Sequence, residues 1–196
     1  MTGNTKNFPG FDHVYKMARD FGKKILYADL EDGTPQTELL RGEWVPETAL
    51  QAHWSMERAE PSDVALGCTS AWLYLSPRVQ QLFRDHNFTG WSTYPIILHN
   101  KAGEVCPGYA GLSITGRCGP IDEGRGAPVP EHLRKPGTPD LMGMYFDEST
   151  WDGSDFFCPA GNNSYKFVTE AVKSMFEEHK IHGFEFTPLT KAMYYI

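Results

Sequence analysis

The sequence predicts an α+β fold: one domain with two pseudo-repeated strand–helix–strand units and antiparallel hairpins. Three observations predict it. Leu75–Ile96 (LSPRVQQLFRDHNFTGWSTYPI) aligns without a gap on Val168–Leu189 (VTEAVKSMFEEHKIHGFEFTPL). Five of the 22 positions are identical: Val79/Val172, Phe83/Phe176, His86/His179, Gly90/Gly183 and Pro95/Pro188. Each copy also passes from an aromatic–aliphatic run to a helical apolar period and back. Finally, 196 residues with 40% hydrophobic and 13% aromatic content suffice for a proper core, whereas a single unit is too small to be stable alone.

Residues 1–65 read as an irregular N-terminal part. It holds a short helix near Phe11–Phe21 and a strand at Lys24–Leu30, ended by the turn signal Glu31-Asp32-Gly33. Residues 34–65 show no period despite Trp44, Pro46 and Trp54. Residues 66–125 hold the first unit and a hairpin. Trp72–Leu75 has strand composition, Ser76 stands as N-cap, and Pro77 suits the first helical position, where a missing N–H costs nothing. Val79, Leu82 and Phe83 form the apolar face, and Gly90 starts the return into Trp91–Leu98. Tyr94–His99 and Tyr109–Thr115 flank the loose turn Asn100-Lys101-Ala102-Gly103.

Residues 126–140 form a Pro-rich loop, with four prolines in Gly126–Pro139. Residues 141–196 hold the second unit. It is introduced by Met142–Phe146 and Asp147–Phe157, has a strand at Tyr165–Val168 and Thr169 as N-cap, and returns through Phe184–Phe186. Its helix shows Val172, Met175 and Phe176 on one face. His86 and His179 fall in the last helical turns, where the carboxyl end favours a cationic or hydrogen-bonding ring. They read as helix-end residues, and His179-x-x-His182 lacks the further ligands a zinc site needs.

The net charge of −7 argues against a general nucleic-acid binder, which needs clustered Lys and Arg, and favours a basic partner. MTGNTKNFPGFDHVYK has no apolar signal region, and the chain has no run of about 18 apolar residues. The expectation is a cytoplasmic chain with no membrane contact. Cys68, Cys106, Cys118 and Cys158 are widely spaced and read as free thiols. The glycines of Gly111–Cys118 imitate a phosphate loop, but Arg117 and Cys118 stand where Lys and Ser/Thr are required. Asp147, Glu148, Asp152 and Asp155 form the densest acidic cluster, a turn whose carboxylates bond local backbone amides. Beside Trp151 these acids also suit a protein contact, because buried Trp, Tyr and Arg anchors dominate interface energetics. No catalytic residue, metal ligand set or cofactor site is assigned.

The elements LYLSPRVQQLF…GWSTYPIIL, GYAGLSITGRCGPID, WDGSDFF and FVTEAVKSMFEEHKIHGFEFTPL carry a family resemblance. Over Leu73–Asp122 and Trp151–Leu189 the chain resembles the immunity proteins of bacterial polymorphic toxin systems. The match is to immunity family eleven, the type first defined on a myxobacterial protein. Related immunity proteins carry two C-x-x-C-G motifs; this chain has none, so a zinc-bearing variant is not implied. The resemblance implies a non-enzymatic protein that binds and neutralises a cognate toxin, the expectation being non-covalent occlusion by a monomer or homodimer. Expected toxin contacts are Asp147, Glu148, Trp151 and Asp152. The alternative is an enzyme or a small-ligand or metal-binding protein with a cleft between the two units.

Overall fold

The structure is a computed structural model that describes residues 7–20, 26–30, 33–54, 62–67, 72–134, 137, 140–162 and 164–195. Along the chain run β1 (Val14–Arg19), β2 (Leu26–Leu30), α1 (Gln36–Arg41), β3 (Leu50–Trp54), β4 (Val64–Leu66) and β5 (Leu73–Leu75). Then come α2 (Pro77–Asp85), β6 (Trp91–His99), β7 (Val105–Cys106), β8 (Ala110–Ile114), β9 (Gly116–Cys118) and β10 (Ala127–Pro128). The last elements are β11 (Leu141–Met142), β12 (Phe156–Pro159), β13 (Lys166–Thr169), α3 (Glu170–Glu178), β14 (Phe184–Pro188) and β15 (Met193–Tyr194).

Strands β3-β2-β4-β5-β8-β6 follow one another in hydrogen-bonded order, and β6 pairs back onto β3, closing a six-stranded barrel. A separate open sheet has the order β14-β1-β13-β12-β9, and β10-β11-β15 form a small third sheet. The α+β expectation is therefore overturned. The protein is mostly β, 36% strand against 23% helix, and its organising element is the closed barrel. The matched segments do not make a two-repeat α+β arrangement: one supplies β5 and β6 to the barrel, the other β13 and β14 to the open sheet. The physical reason is long-range pairing. Closure rests on parallel contacts such as Leu50 with Ile96 and Leu26 with Ala65, and no local period encodes those registers.

The described residues of the N-terminal part include β1, β2, α1, β3 and the start of β4. Residues 34–65 supply α1, β3 and part of β4. The expected helix near Phe11–Phe21 is a single 3₁₀ turn, Phe11–His13, running into β1. Within the Pro-rich segment, β10 joins the third sheet, and Val129 is buried. Lys24, Glu31, Asp32 and Cys68 lie outside the described residues. Cys106, Cys118 and Cys158 are free. Among the described residues no helix is long and apolar enough to cross a membrane.

Strand alternation sorts the interior into three cores, because successive side chains point to opposite faces. Tyr74, Ala65, Tyr94, Ile96 and Leu98 point into the barrel with Leu26, Trp54 and Trp72. Val64, Leu66, Leu73, Leu75, Leu112 and Ile114 point outward into a second core. Tyr15, Met17, Phe156, Cys158 and Val168 of the open sheet meet them there. Helices α2 and α3 bury Val79, Phe83, Val172, Met175 and Phe176 in that same layer. Val14, Phe157 and Phe167 face the third core with Phe11, Met144 and Phe146. Buried on both faces, β4 and β5 show no polar position to mark them as strands.

Candidate functional site

The loop before β12 begins with Asp147, whose carboxylate caps the short turn Glu148–Thr150. It accepts from the Ser149 amide at 3.0 Å and from the Ser149 hydroxyl at 2.7 Å. The Ser149 bonds, helped by Arg125, hold the exposed Asp147 carboxyl below its usual range. Glu148 reaches Arg125 at 4.0 Å. Asp152 accepts from the Arg117 amide at 2.7 Å and the Ser154 amide at 3.0 Å. Asp147 and Asp152 thus bond local backbone amides, and Asp152 also ties the loop to β9 through the Arg117 amide.

Asp147, Glu148 and Asp152 are exposed, while Trp151 is half-buried. The indole lies edge-on to Phe8 at 5.6 Å and 5.9 Å from Phe157, and its Nε1 donates to the Ser154 carbonyl. Beside the loop, the Arg125 guanidinium stands 4.8 Å from the Tyr145 ring and 5.1 Å from Phe11. All four expected contact residues therefore stand on one loop, bordered by half-buried aromatics and an arginine. Asp155 is different. It is buried, accepts from the Thr89 amide at 3.0 Å and hydroxyl at 2.9 Å, and receives the Thr169 hydroxyl at 3.3 Å. It ties the turn after α2 to the start of α3.

A cleft of about 430 Å³ opens between this loop and the first turn of α3, with Trp151, Asp155, His13 and Glu170 in its wall. His13 Nδ1 lies 2.8 Å from Glu170, and Tyr15 donates to the same carboxylate at 3.3 Å. The His13 bond leads the causes that hold the Glu170 carboxyl low. Sequence reasoning missed this pair. Glu170 was visible as a first-turn acid, but its partner lies 157 residues away. His86 and His179 are the C-cap residues of α2 and α3, with rings 6.0 Å apart and nearly perpendicular. Among the described residues no group of three or more His, Cys, Asp or Glu could hold a metal ion. Burial pushes both the Cys158 and Cys118 thiols up, away from the thiolate a nucleophile needs. Compared with protein-family models and with curated proteins, the chain finds no match in either.

Proposed function

We propose that the protein neutralises a cognate bacterial toxin in the cytoplasm by binding it and covering its working surface, as the resemblance to immunity family eleven implies. The observation that carries the reading is the surface around Trp151. There a half-buried indole, the Tyr145 ring and Arg125 sit beside the exposed carboxylates of Asp147, Glu148 and Asp152. Aromatic and arginine anchors of this kind concentrate binding energy, and a surrounding ring of charge guides approach. The loop's own hydrogen bonds fix it in advance, so little conformational entropy is lost on docking. Acidic rim charges on a chain of net charge −7 suit a basic toxin face, across about 800 Å² per partner.

The test is co-expression with the toxin domain encoded in the neighbouring reading frame, followed by calorimetry of the purified pair. The chain protects the cells and binds the domain. Trp151→Ala weakens binding by about 2 kcal/mol, roughly a thirtyfold rise in Kd. Neutralising Asp147, Glu148 and Asp152 together slows association and flattens its salt dependence. Unchanged affinity in all these variants removes the placement; no protection and no complex removes the function.

A further inference from the structure

Asp155 and Lys166 are the two buried charged side chains among the described residues. They are treated in opposite ways. Asp155 collects donors from Thr89 and Thr169. Lys166 is 8% exposed, and its ammonium makes no hydrogen bond and no ion pair among the described residues. The ammonium is not among the fully buried polar atoms left without a partner, so it keeps some contact with solvent, and a mostly desolvated cation there favours an acceptor of opposite charge. A chain with 25 Asp and Glu had ample means to supply a carboxylate.

Lys166 opens β13 opposite Met17 of β1. The charged or titratable groups acting on it are the Cys158 thiol and the Arg19 guanidinium; burial, with Arg19 adding to it, pushes its pKa down. The side chain lines a cleft of about 310 Å³ where the end of β1 meets the start of β13. Lys16 and Arg19 also line it, Leu73, Met17 and Phe184 give it apolar walls, and among the described residues no Asp or Glu lines it. The Lys16 ammonium is already held, donating to the Met193 carbonyl at 3.0 Å and lying 5.1 Å from the Tyr165 ring. Leu73 comes from the barrel and the other five from the open sheet, so the cleft lies where these two sheets meet.

We infer that this cleft is a binding site for a small organic anion, a carboxylate or phosphate monoester with a short apolar body. Its charged end meets Lys166, and its body lies on Leu73, Met17 and Phe184. The anion supplies the counter-charge and acceptors that no described residue gives the Lys166 ammonium. The apolar walls make an organic ligand a better fit than a bare inorganic ion, and the volume suits a molecule near the lower end of ligand-site sizes, about 300 Å³.

The experiment titrates the ¹⁵N-labelled full chain with phenylacetate, phenyl phosphate, inorganic phosphate and benzyl alcohol, following amide shifts. One or both organic anions produce saturable shifts in β1, β13 and β14 below about 10 mM, and whichever binds tighter names the head group. Inorganic phosphate and benzyl alcohol bind at least about tenfold more weakly. Lys166→Met keeps the stem, removes the charge and weakens the organic anion by about tenfold or more while the chain stays folded. Arg19→Gln at the same cleft provides a second variant, with a smaller loss, should Lys166→Met not fold. The inference is overturned if neither organic anion shifts those amides, if inorganic phosphate or the alcohol binds equally well, or if the folded variants bind as the parent does.

Discussion

The two matched units sit in different sheets, one in the closed barrel and one in the open sheet, yet their backbones keep the same register. Ala110 of β8 pairs with Leu75 on one side and Pro95 on the other. Tyr15 of β1 pairs with Val168 and Pro188, the corresponding positions of the second unit. In each case the helix crosses over one antiparallel neighbour, which follows the first unit in the chain and precedes the second. Asn87 and Lys180 occupy equivalent left-handed positions, φ 54° and 55°, just after the helix ends. The N-caps diverge. Ser76 accepts from the Val79 amide at 3.3 Å, whereas Thr169 makes no side-chain cap and turns its hydroxyl to Asp155. What the copies share fixes the local backbone path; what separates them answers to the neighbours each one meets.

The largest test concerns where the copies touch. Phe83 and Phe176 are fully buried in the shared core with ring centroids 5.9 Å apart. Each also packs edge-on against its own return strand, Phe83 on Trp91 at 5.1 Å and Phe176 on Phe184 at 5.5 Å. Phe83→Ala and Phe176→Ala should each destabilise by about 3–5 kcal/mol, through lost transfer energy plus the cavity left behind. Because the rings meet, the double variant should lose less than the sum by about 0.5 kcal/mol or more. Urea unfolding of the four proteins measures this. Strict additivity would mean the two helices pack independently and the equivalence stops at the backbone.

Much of each unit was legible in the residues because the signals act over a few positions. Ser76 and Pro77 mark the start of α2, and Gly90 and Gly183 mark the turns out of the helices. The barrel was not legible. Strands β4 and β5 have three residues each with both faces buried, and the β3–β6 pairing joins segments that carry no shared local signal. The acidic loop was visible because Asp147, Glu148 and Asp152 fall within six residues of one another. The His13–Glu170 pair and the Lys166 cleft could not, since each assembles residues from distant strands. In sequence, Lys166 reads as one more polar position at the start of a strand.

A middle-sized effect separates the two turn glycines. Both have positive φ, 80° at Gly90 and 119° at Gly183, so any side chain there is strained by roughly 1–3 kcal/mol. Their surroundings differ. A Cβ on Gly90 would collide with the Phe156 carbonyl and the Ser154 side chain, where the first unit docks on β12. A Cβ on Gly183 would meet only ordinary contact with Val64 at 3.7 Å. Gly90→Ala should therefore lower stability clearly more than Gly183→Ala, by at least about 1 kcal/mol on top of the shared strain. Thermal and urea unfolding decide it, and equal losses would show that the docking at Phe156 yields freely.

The smallest effect tests the left-handed residue itself. Asn tolerates positive φ because its short amide bonds the local backbone, whereas Lys there costs roughly 1 kcal/mol or more. Asn87 already fits this preference; Lys180, at the same place in the second copy, does not. Lys180→Asn should stabilise the chain by about 0.5–1 kcal/mol, and Asn87→Lys should destabilise it by a similar amount. Both positions are exposed, so neither change disturbs packing, and the backbone bonds Asn87 to Arg84 and Lys180 to Glu177 remain available. If the two substitutions are both neutral, the shared φ reflects only the path imposed by the following strand, and the residue at that position carries no energetic weight in either copy.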